Sequence, residues 1–538
     1  MADVTDFIAL SSIEPTAHSS LPLRERKANI LKLLRDPFTY LQREVTEAAE
    51  KDEPYIAFDV SGNKLVILLD PKGITRMLND VENFNRDGTL SFLQRHAGGS
   101  IFFTSSEEWL AQKKEAQRFF TKGMFEKMQG EINGATDRLY DSWRRSSANF
   151  GKPILINDQF SPYTLEILFE TLFHMERPGD IKNIRKALNL LFAVAARRQY
   201  NPKLEKIVSH RFLHRWGPRV APAVRFMQGI VDGVIDQRLQ ELQDPAFEHR
   251  DDLLSTLVKG YLQERAVDNS VGGAVRESRI GKFLGEHHGG VGPLGMFSAY
   301  SRNLLEADPI DHPKDKRRLK LQQEILAFLV AGHDTTATAL SWVFYILARY
   351  PEVQKKVFAE IDQAFHGEDP KDPRDLMTKL PYTKQVIDET LRHQPSFWGI
   401  RRKAQTDIEI ALGDGQKLSI KKGTVVMVPI LFMQELEKFW GPDALKFDPG
   451  QFDAEVARAR SQQHGTVYLP FGDGQRACLG RGLAMIEIYS AIVGAAQRFR
   501  FDLRPGSENP GARKSAMYKP RRNIYVRFQP REAISART

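Results

Sequence analysis

Phe471-Gly-Asp-Gly-Gln-Arg-Ala-Cys-Leu-Gly480 is the stretch on which the reading of this 538-residue chain turns. It holds the chain's single cysteine, Cys478, and runs straight into an apolar, helix-period segment from about Gly480 to Arg498. A thiolate ligand needs positive potential to stay deprotonated, and a helix N-terminus supplies it. Gly474 and Gly480 let the backbone turn closely around the sulfur, so that amide N–H groups point at it. Phe471 can cover the sulfur from water, and Arg476, two residues ahead of it, is a cationic partner. An ordinary glycine-rich loop before a helix would explain the glycines but not the Phe, Gly, Arg, Cys and Gly at once. With one cysteine, no disulfide, multi-cysteine zinc site or cysteine-held iron–sulfur cluster can form within the chain. A lone cysteine more often fills a core than performs chemistry, so its surroundings decide.

Upstream, two further segments carry chemistry. Lys316 to Tyr350 reads as one helix, about 50 Å long at 1.5 Å per residue, stopped by Pro351. Within it lies Ala331-Gly-His-Asp-Thr-Thr336. Glycine and hydroxyl side chains there weaken helical bonding and permit local opening. Thr335 can then donate to a bound ligand and Asp334 can deliver protons. Glu389-Thr-Leu-Arg392 places a carboxylate and a guanidinium on one face of a helix spanning Lys384 to His393. By itself that is a surface pair of small worth.

The remaining chain reads as mainly α with small β-sheets. A helical stretch covers Leu21 to Glu50, Tyr55 to Leu68 forms a hairpin about a Gly-Asn turn, and helical patterns dominate from Trp109 to about Leu257. Ile408–Leu412 and Thr424–Val428 read as strands, with Gly413 to Gly415 turning the chain between them, and Asn523–Phe528 as a final strand. Residues 267–313, with Gly272-Gly273 and His287-His288, read as a long inserted loop; two adjacent histidines seldom converge on one ion. No repeat or low-complexity linker separates domains. The expected organisation is an extension over 1–30 followed by a single domain over 31–538.

Phe471, Gly474, Arg476, Cys478 and Gly480 match the FxxGxRxCxG haem-binding signature of the cytochrome P450 family at every position, and the chain resembles that family from about Leu31 to Phe528. The resemblance implies the cytochrome P450 fold, haem b (iron protoporphyrin IX) as cofactor, Cys478 as its metal ligand and Arg476 as a propionate partner. Ala331–Thr336 is similar to the family's oxygen-activation motif, which implies that Asp334 and Thr335 flank the distal oxygen site. Glu389 and Arg392 resemble the ExxR pair that packs a buried network beneath the haem. The family usually completes this network with an arginine from a PxRF-like segment, but Phe447-Asp-Pro-Gly-Gln-Phe452 has Gln451 there, and Gln434-Glu435 replaces a common His-Arg pair. A glutamine can donate hydrogen bonds but cannot form a charged fork. Arg402, with Arg401 as its rival, matches the family's strand arginine. Trp109 and Lys113 resemble its WxxxR element, lysine offering a point charge instead of a fork.

The expected activity is a haem-dependent monooxygenase that inserts one atom of O2 into a lipophilic organic substrate. The chain after Cys478 is too short for a flavin domain, so electrons are expected from a separate flavoprotein reductase or ferredoxin, received on Lys113, Lys114, Arg118 and Arg481. Leu90–Phe103 and Ser396–Ile400 are the expected pocket-lining segments, and Arg95 and His96 lie within the first. A net charge of +9 suits an acidic partner, but the scattered basic residues argue against nucleic acid. No apolar run is long enough for an integral membrane anchor. The expectation is a soluble, cytoplasmic protein, compatible with peripheral membrane association. The rival readings are a haem-thiolate isomerase, lyase or peroxygenase acting on a hydroperoxide, and a non-enzymatic haem sensor; the Asp334-Thr335 pair speaks against each.

Overall fold

A computed structural model describes residues 26–27, 37–60, 63–86, 99–104, 106–148, 152–175, 180–199, 202–247, 252–270, 315–514 and 517–531. The 267–313 insertion, with His287 and His288, lies almost wholly outside the described residues, as do Arg95 and His96.

Thirteen short strands are described: β1 (Arg26–Lys27), β2 (Tyr55–Val60), β3 (Asn63–Leu68), β4 (Phe84–Asn85), β5 (Ile154–Leu155), β6 (Ile400–Ala404), β7 (Ile408–Ala411), β8 (Lys417–Ile420), β9 (Val425–Val428), β10 (Phe499–Leu503), β11 (Ala512–Lys514), β12 (Tyr518–Pro520) and β13 (Tyr525–Pro530). The largest sheet has the order β1-β2-β3-β9-β6-β4. The β2–β3 hairpin is antiparallel with Tyr55 opposite Leu68, while β3 runs parallel to β9 with Leu65 opposite Val425. β9 sits between two strands and is buried at all of its positions, which explains its unbroken Val-Val-Met-Val sequence. The turn at Gly413–Gly415 returns the chain into β8, which pairs β7 in a separate two-stranded sheet. Sequence reading missed β8 because Lys417-Leu-Ser-Ile420 is short and half polar. Likewise β1 lies where a helix from Leu21 was expected, and the helix itself is Pro37–Glu50.

The helices that position the site are α1 (Pro71–Asn79), α2 (Ser106–Ala116), α3 (Lys122–Ala148), α4 (Phe160–Leu172), α5 (Lys316–Arg349), α6 (Pro381–His393), α7 (Ala454–His464) and α8 (Arg481–Arg498). Asp315 caps α5, accepting from the amides of Arg317 (3.0 Å) and Arg318 (3.4 Å). From Leu321 to Ala348 most α5 residues are buried, so this helix is a core element rather than a surface amphipath. At Gly332 a Cβ would lie 2.8 Å from a Leu168 methyl, which is how closely α5 rests on α4. No helix among the described residues is long and apolar enough to cross a membrane.

Two apolar cores result. One fills the helical body around α3, α4, α5 and α8; the other lies between the six-stranded sheet and the segments over it. Trp143 anchors the first. Its ring centroid lies 4.9 Å from that of Tyr140, 4.4 Å from Phe528 and 5.9 Å from both Phe160 and Phe344, so one side chain joins α3, α4, α5 and β13. Its indole N–H donates to Gln159 at 3.0 Å. Trp143→Ala is expected to cost about 3–5 kcal/mol, read as a lower thermal midpoint in calorimetry. An unchanged midpoint would show that the four elements do not depend on this junction.

Candidate active site

The Cys478 loop is closed by its own backbone. The amide of Cys478 donates to Phe471 O at 2.9 Å, Gly472 N to Leu469 O at 2.9 Å, and Ala477 N to Gly474 O at 3.1 Å. Gly472 and Gly474 have φ of +66° and +69°. At Gly474 a Cβ would also fall 2.4 Å from the Leu78 carbonyl oxygen of α1, so only glycine fits. Gly480 has φ −83°, with the Phe120 ring 3.9 Å from where a Cβ would stand, and its amide acts on the Cys478 thiol; a tighter approach is at Gly482, whose Cβ would meet the Phe125 ring at 2.4 Å. Cys478 is exposed, yet it is crowded by protein. Burial pushes its thiol up, against the amides of Gly480 and Arg481 and the Arg481 charge. The helix N-terminus acts on the sulfur as expected but does not outweigh that crowding. Phe471 is half-buried, with the Arg481 guanidinium 5.5 Å from its ring centroid.

Three cations converge beside this loop. Trp109 of α2 is buried, with Arg476 Cζ 4.2 Å and Lys113 Nζ 5.0 Å from its ring centroid. Arg476 donates to Asn85 Oδ1 (3.2 Å) and Thr104 O (3.1 Å), while its Nε and Nη1 are buried and have no hydrogen-bond partner. Burial, then the nearby charge of Arg402, push Arg476 down to about 10. Burial and Arg476 lower Lys113 in turn, and its ammonium donates to Gln475 O of the cysteine loop at 2.6 Å. Strand alternation in β6 puts Arg401 and Arg402 on opposite faces, and Arg402, the buried one, is the charge felt by Arg476. Buried, unpartnered guanidinium nitrogens among like charges are what an anionic ligand satisfies. The residues present therefore fit a carboxylate-bearing cofactor seated next to Cys478.

On α5, Asp334 is buried and accepts an ion pair from Lys519 Nζ of β12, 2.6 Å from Oδ1. Lys519 keeps 29% of its side chain exposed, so the pair links a buried carboxylate to solvent. Thr335 donates its hydroxyl to Ala331 O at 2.6 Å, and Thr338 and Ser341 do the same to Asp334 O and Ala337 O at 2.7 Å. The helix runs unbroken from Lys316 to Arg349, so the expected opening is absent, the hydroxyls being spent on the backbone. Ser396 Oγ donates to Thr335 O at 3.0 Å, and Tyr518 N to Ser396 O at 3.0 Å. Lys519 is not legible in the sequence as a site residue, since it stands 185 positions from its partner in a basic tail.

Behind the loop, Glu389 and Arg392 are fully buried and bind as a fork, with both N···O distances 2.7 Å. Burial pushes Glu389 up, but hydrogen bonds from Arg392 and His393 outweigh it and leave the carboxyl below its ordinary value. Arg392 Nη1 also donates to Gln434 O and Ala444 O, both at 2.6 Å, and Asp448 N donates to Glu389 at 2.8 Å. Gln434, fully buried, accepts from Leu469 N at 2.9 Å and donates to Arg392 O at 2.8 Å, tying the end of α6 to the cysteine loop. Gln451 stands at the far side of this network, donating to Trp440 O at 3.1 Å.

The described end of the segment Leu90–Phe103 is strapped to α5 and α2. Gly99 N donates to Gln323 (2.7 Å), Ile101 N to Glu324 (2.8 Å), and Gln112 Nε2 to Gly99 O (2.7 Å). Burial pushes Glu324 up to about 7 against the Ile101 amide and Lys320, with Glu108 and Glu115 raising it further. Its folded pKa thus exceeds the ordinary 4.5. Stability from this group is full below pH 4.5 and falls as pH rises through about 7, by on the order of 3 kcal/mol. Glu324→Gln should lack that loss, so its thermal midpoint relative to wild type should climb from pH 4.5 to pH 7.5. A constant difference across that range would refute the raised pKa.

The family profile described as Cytochrome P450 matches residues 28–271 and 303–528. Cytochrome P450 3A16 of Mus musculus is 24% identical over 449 residues, covering 81% of this chain and 76% of that protein. Putative cytochrome P450 132 of Mycobacterium tuberculosis is 36% identical over 203 residues, 38% of this chain and 41% of that protein. The crystal structure of the cytochrome P450 CYP102L1 superposes with a TM-score of 0.68 at 24% identity, over 92% of this chain and 94% of that one, a likeness of fold.

Proposed function

Because this chain belongs to the cytochrome P450 family of oxygen-incorporating, haem-iron oxidoreductases, we propose that it is a monooxygenase in which Cys478 ligates haem b and a lipophilic organic substrate receives one atom of O2. When bound, the haem supplies the redox chemistry that activates O2. The observation that carries the reading is Arg476, whose two buried, unpartnered nitrogens adjoin the cysteine loop. Arg476 and Arg402 hold the propionates, Trp109 supports Arg476 from beneath, and Lys113 fixes the loop at Gln475. Cys478 would hold the haem iron as a thiolate, since a coordinated thiol is deprotonated outright even where burial raises it. Phe471, Gly474 and Gly480 shape its loop, and Glu389, Arg392 and Gln451 belong to the network that supports it.

On the opposite side, Lys519 passes a proton from solvent to Asp334, and Asp334 passes it on toward the substrate side of α5. Thr335, its hydroxyl hydrogen committed to Ala331, keeps lone pairs with which to hold a donor in place. Phe397, exposed and bridged to Met517, lies by Trp398 in the segment proposed to meet an apolar substrate. A separate redox protein with an acidic face docks near exposed Lys114, Arg118 and Arg481.

Three measurements test this reading. Reduced, CO-bound protein should show the red-shifted Soret band of thiolate ligation, and Cys478→Ala should lose it; a variant that keeps the band refutes the ligand. Thr335→Ala should retain haem and substrate binding but release more hydrogen peroxide per NADPH. Asp334→Asn and Lys519→Met should both slow the proton step and enlarge the solvent isotope effect, with Lys519→Arg close to wild type. Unchanged coupling in Thr335→Ala, or an unchanged isotope effect in Asp334→Asn and Lys519→Met, removes the proposed roles, and turnover of a hydroperoxide without NADPH would favour the isomerase reading.

A further inference from the structure

Helix α7 buries no residue, yet the Arg460 side chain reaches inward from it. Arg460 Nη2 donates to both oxygens of Gln451, O at 2.7 Å and Oε1 at 2.6 Å. Its Cζ lies 3.9 Å from the centroid of the Trp440 ring, and the Cζ of Arg392 lies 4.7 Å from that same centroid. Two guanidiniums therefore share one indole. Burial lowers the pKa of Arg460, Arg392 lowers it further, and Glu389 opposes them. An arginine on a solvated helix has no reason to accept such a position unless the ring, the Gln451 oxygens and the Glu389 charge together compensate it.

We propose that Arg460 is a positioning residue that supplies the second cation of the Glu389–Arg392 network from α7, with Gln451 as its tether and Trp440 as the spacer. The segment from Gln434 to Phe452 is built of single helical turns and loops, so side chains must fix its course. Its near part is held by Arg392, through the carbonyls of Gln434, Ala444 and Lys446. Its far part has Gln451 bound to Trp440 O on one side and to Arg460 on the other. Arg460 thus closes the clamp, and the Gln434–Leu469 bond carries the fixed position on to the cysteine loop. Gln451 takes part as an adaptor that accepts a remote guanidinium, where the family commonly places the guanidinium itself.

This inference rests on the Cys478 loop being the haem site, and its test stands apart from that reading. Wild type, Arg460→Ala, Arg460→Met, Gln451→Arg and the double variant Arg460→Ala/Gln451→Arg are purified with haem. Haem per protein, thermal midpoint and the fraction of thiolate-type Soret band in the reduced CO complex are measured. Arg460→Ala should lose haem several-fold and Arg460→Met nearly as much, since methionine keeps the stem but not the charge. Gln451→Arg alone should be impaired, because it adds a third guanidinium around Trp440. The double variant should recover most of the haem and the thiolate band, one guanidinium having been returned from the loop side. Near-wild-type haem content and midpoint in Arg460→Met would overturn the proposal, as would a double variant no better than Arg460→Ala. A double variant that recovers while Cys478→Ala keeps its Soret band would indict the ligand assignment and leave the clamp standing.

Discussion

The forked ion pair of Glu389 and Arg392 is the contact on which the part of the fold behind the cysteine loop depends. Both groups are fully buried, so each gave up a hydration shell worth several kcal/mol, and every remaining donor of Arg392 must find an acceptor. It finds backbone carbonyls on the segment after β9, and Glu389 takes the amide of Asp448. An irregular stretch is thereby held by one guanidinium in place of a sheet or a long helix. Removing either partner would strand a charge in the interior, at a cost of about 3–5 kcal/mol. The pair thus converts an electrostatic liability into positional accuracy for the loop that bears Cys478.

The electrostatics of the site divide by side. Around the cysteine loop the chain concentrates positive charge: burial and Arg402 lower Arg476, and burial and Arg476 lower Lys113. Across the core, α5 presents a carboxylate already matched by Lys519. A ligand that is anionic at its rim and apolar over its faces relieves the first imbalance without disturbing the second pair. The acidic residue on α5 is meanwhile kept in contact with solvent through a lysine instead of through a break in the helix.

What the sequence made legible follows from the range of the forces involved. The cysteine loop, α5 and the Glu389–Arg392 helix are local patterns whose spacing is set by helix geometry and by glycine's freedom, and they fell where expected. The family resemblance rests on those same stretches. The close packing of Gly482 against Phe125 carries no mark in the sequence, because it depends on a ring from another helix. The contacts that complete each motif were invisible. Lys519 for Asp334 and Arg460 for Gln451 come from other segments of the chain, and no periodicity marks them; Ser396 and Gln434 stand in segments the sequence points to, but their bonds to Thr335 and Leu469 do not show there. The expected opening of α5 failed for a related reason: its hydroxyls found carbonyls one turn back, leaving the ladder intact. The missed β8 shows that a short strand on a separate two-stranded sheet needs little hydrophobic patterning.

Within ten residues the chain passes from one apolar core to the other: Leu469 belongs to the sheet core, while Leu479 packs on the helical one. Between them it is pinned to α1 by the contact of Gly474 with Leu78 and to α2 through Lys113 and Gln475. A crossing fixed on both banks behaves as a fulcrum. Any relative shift of the two cores would therefore displace the chain least at this crossing, so that Cys478 keeps its place against both.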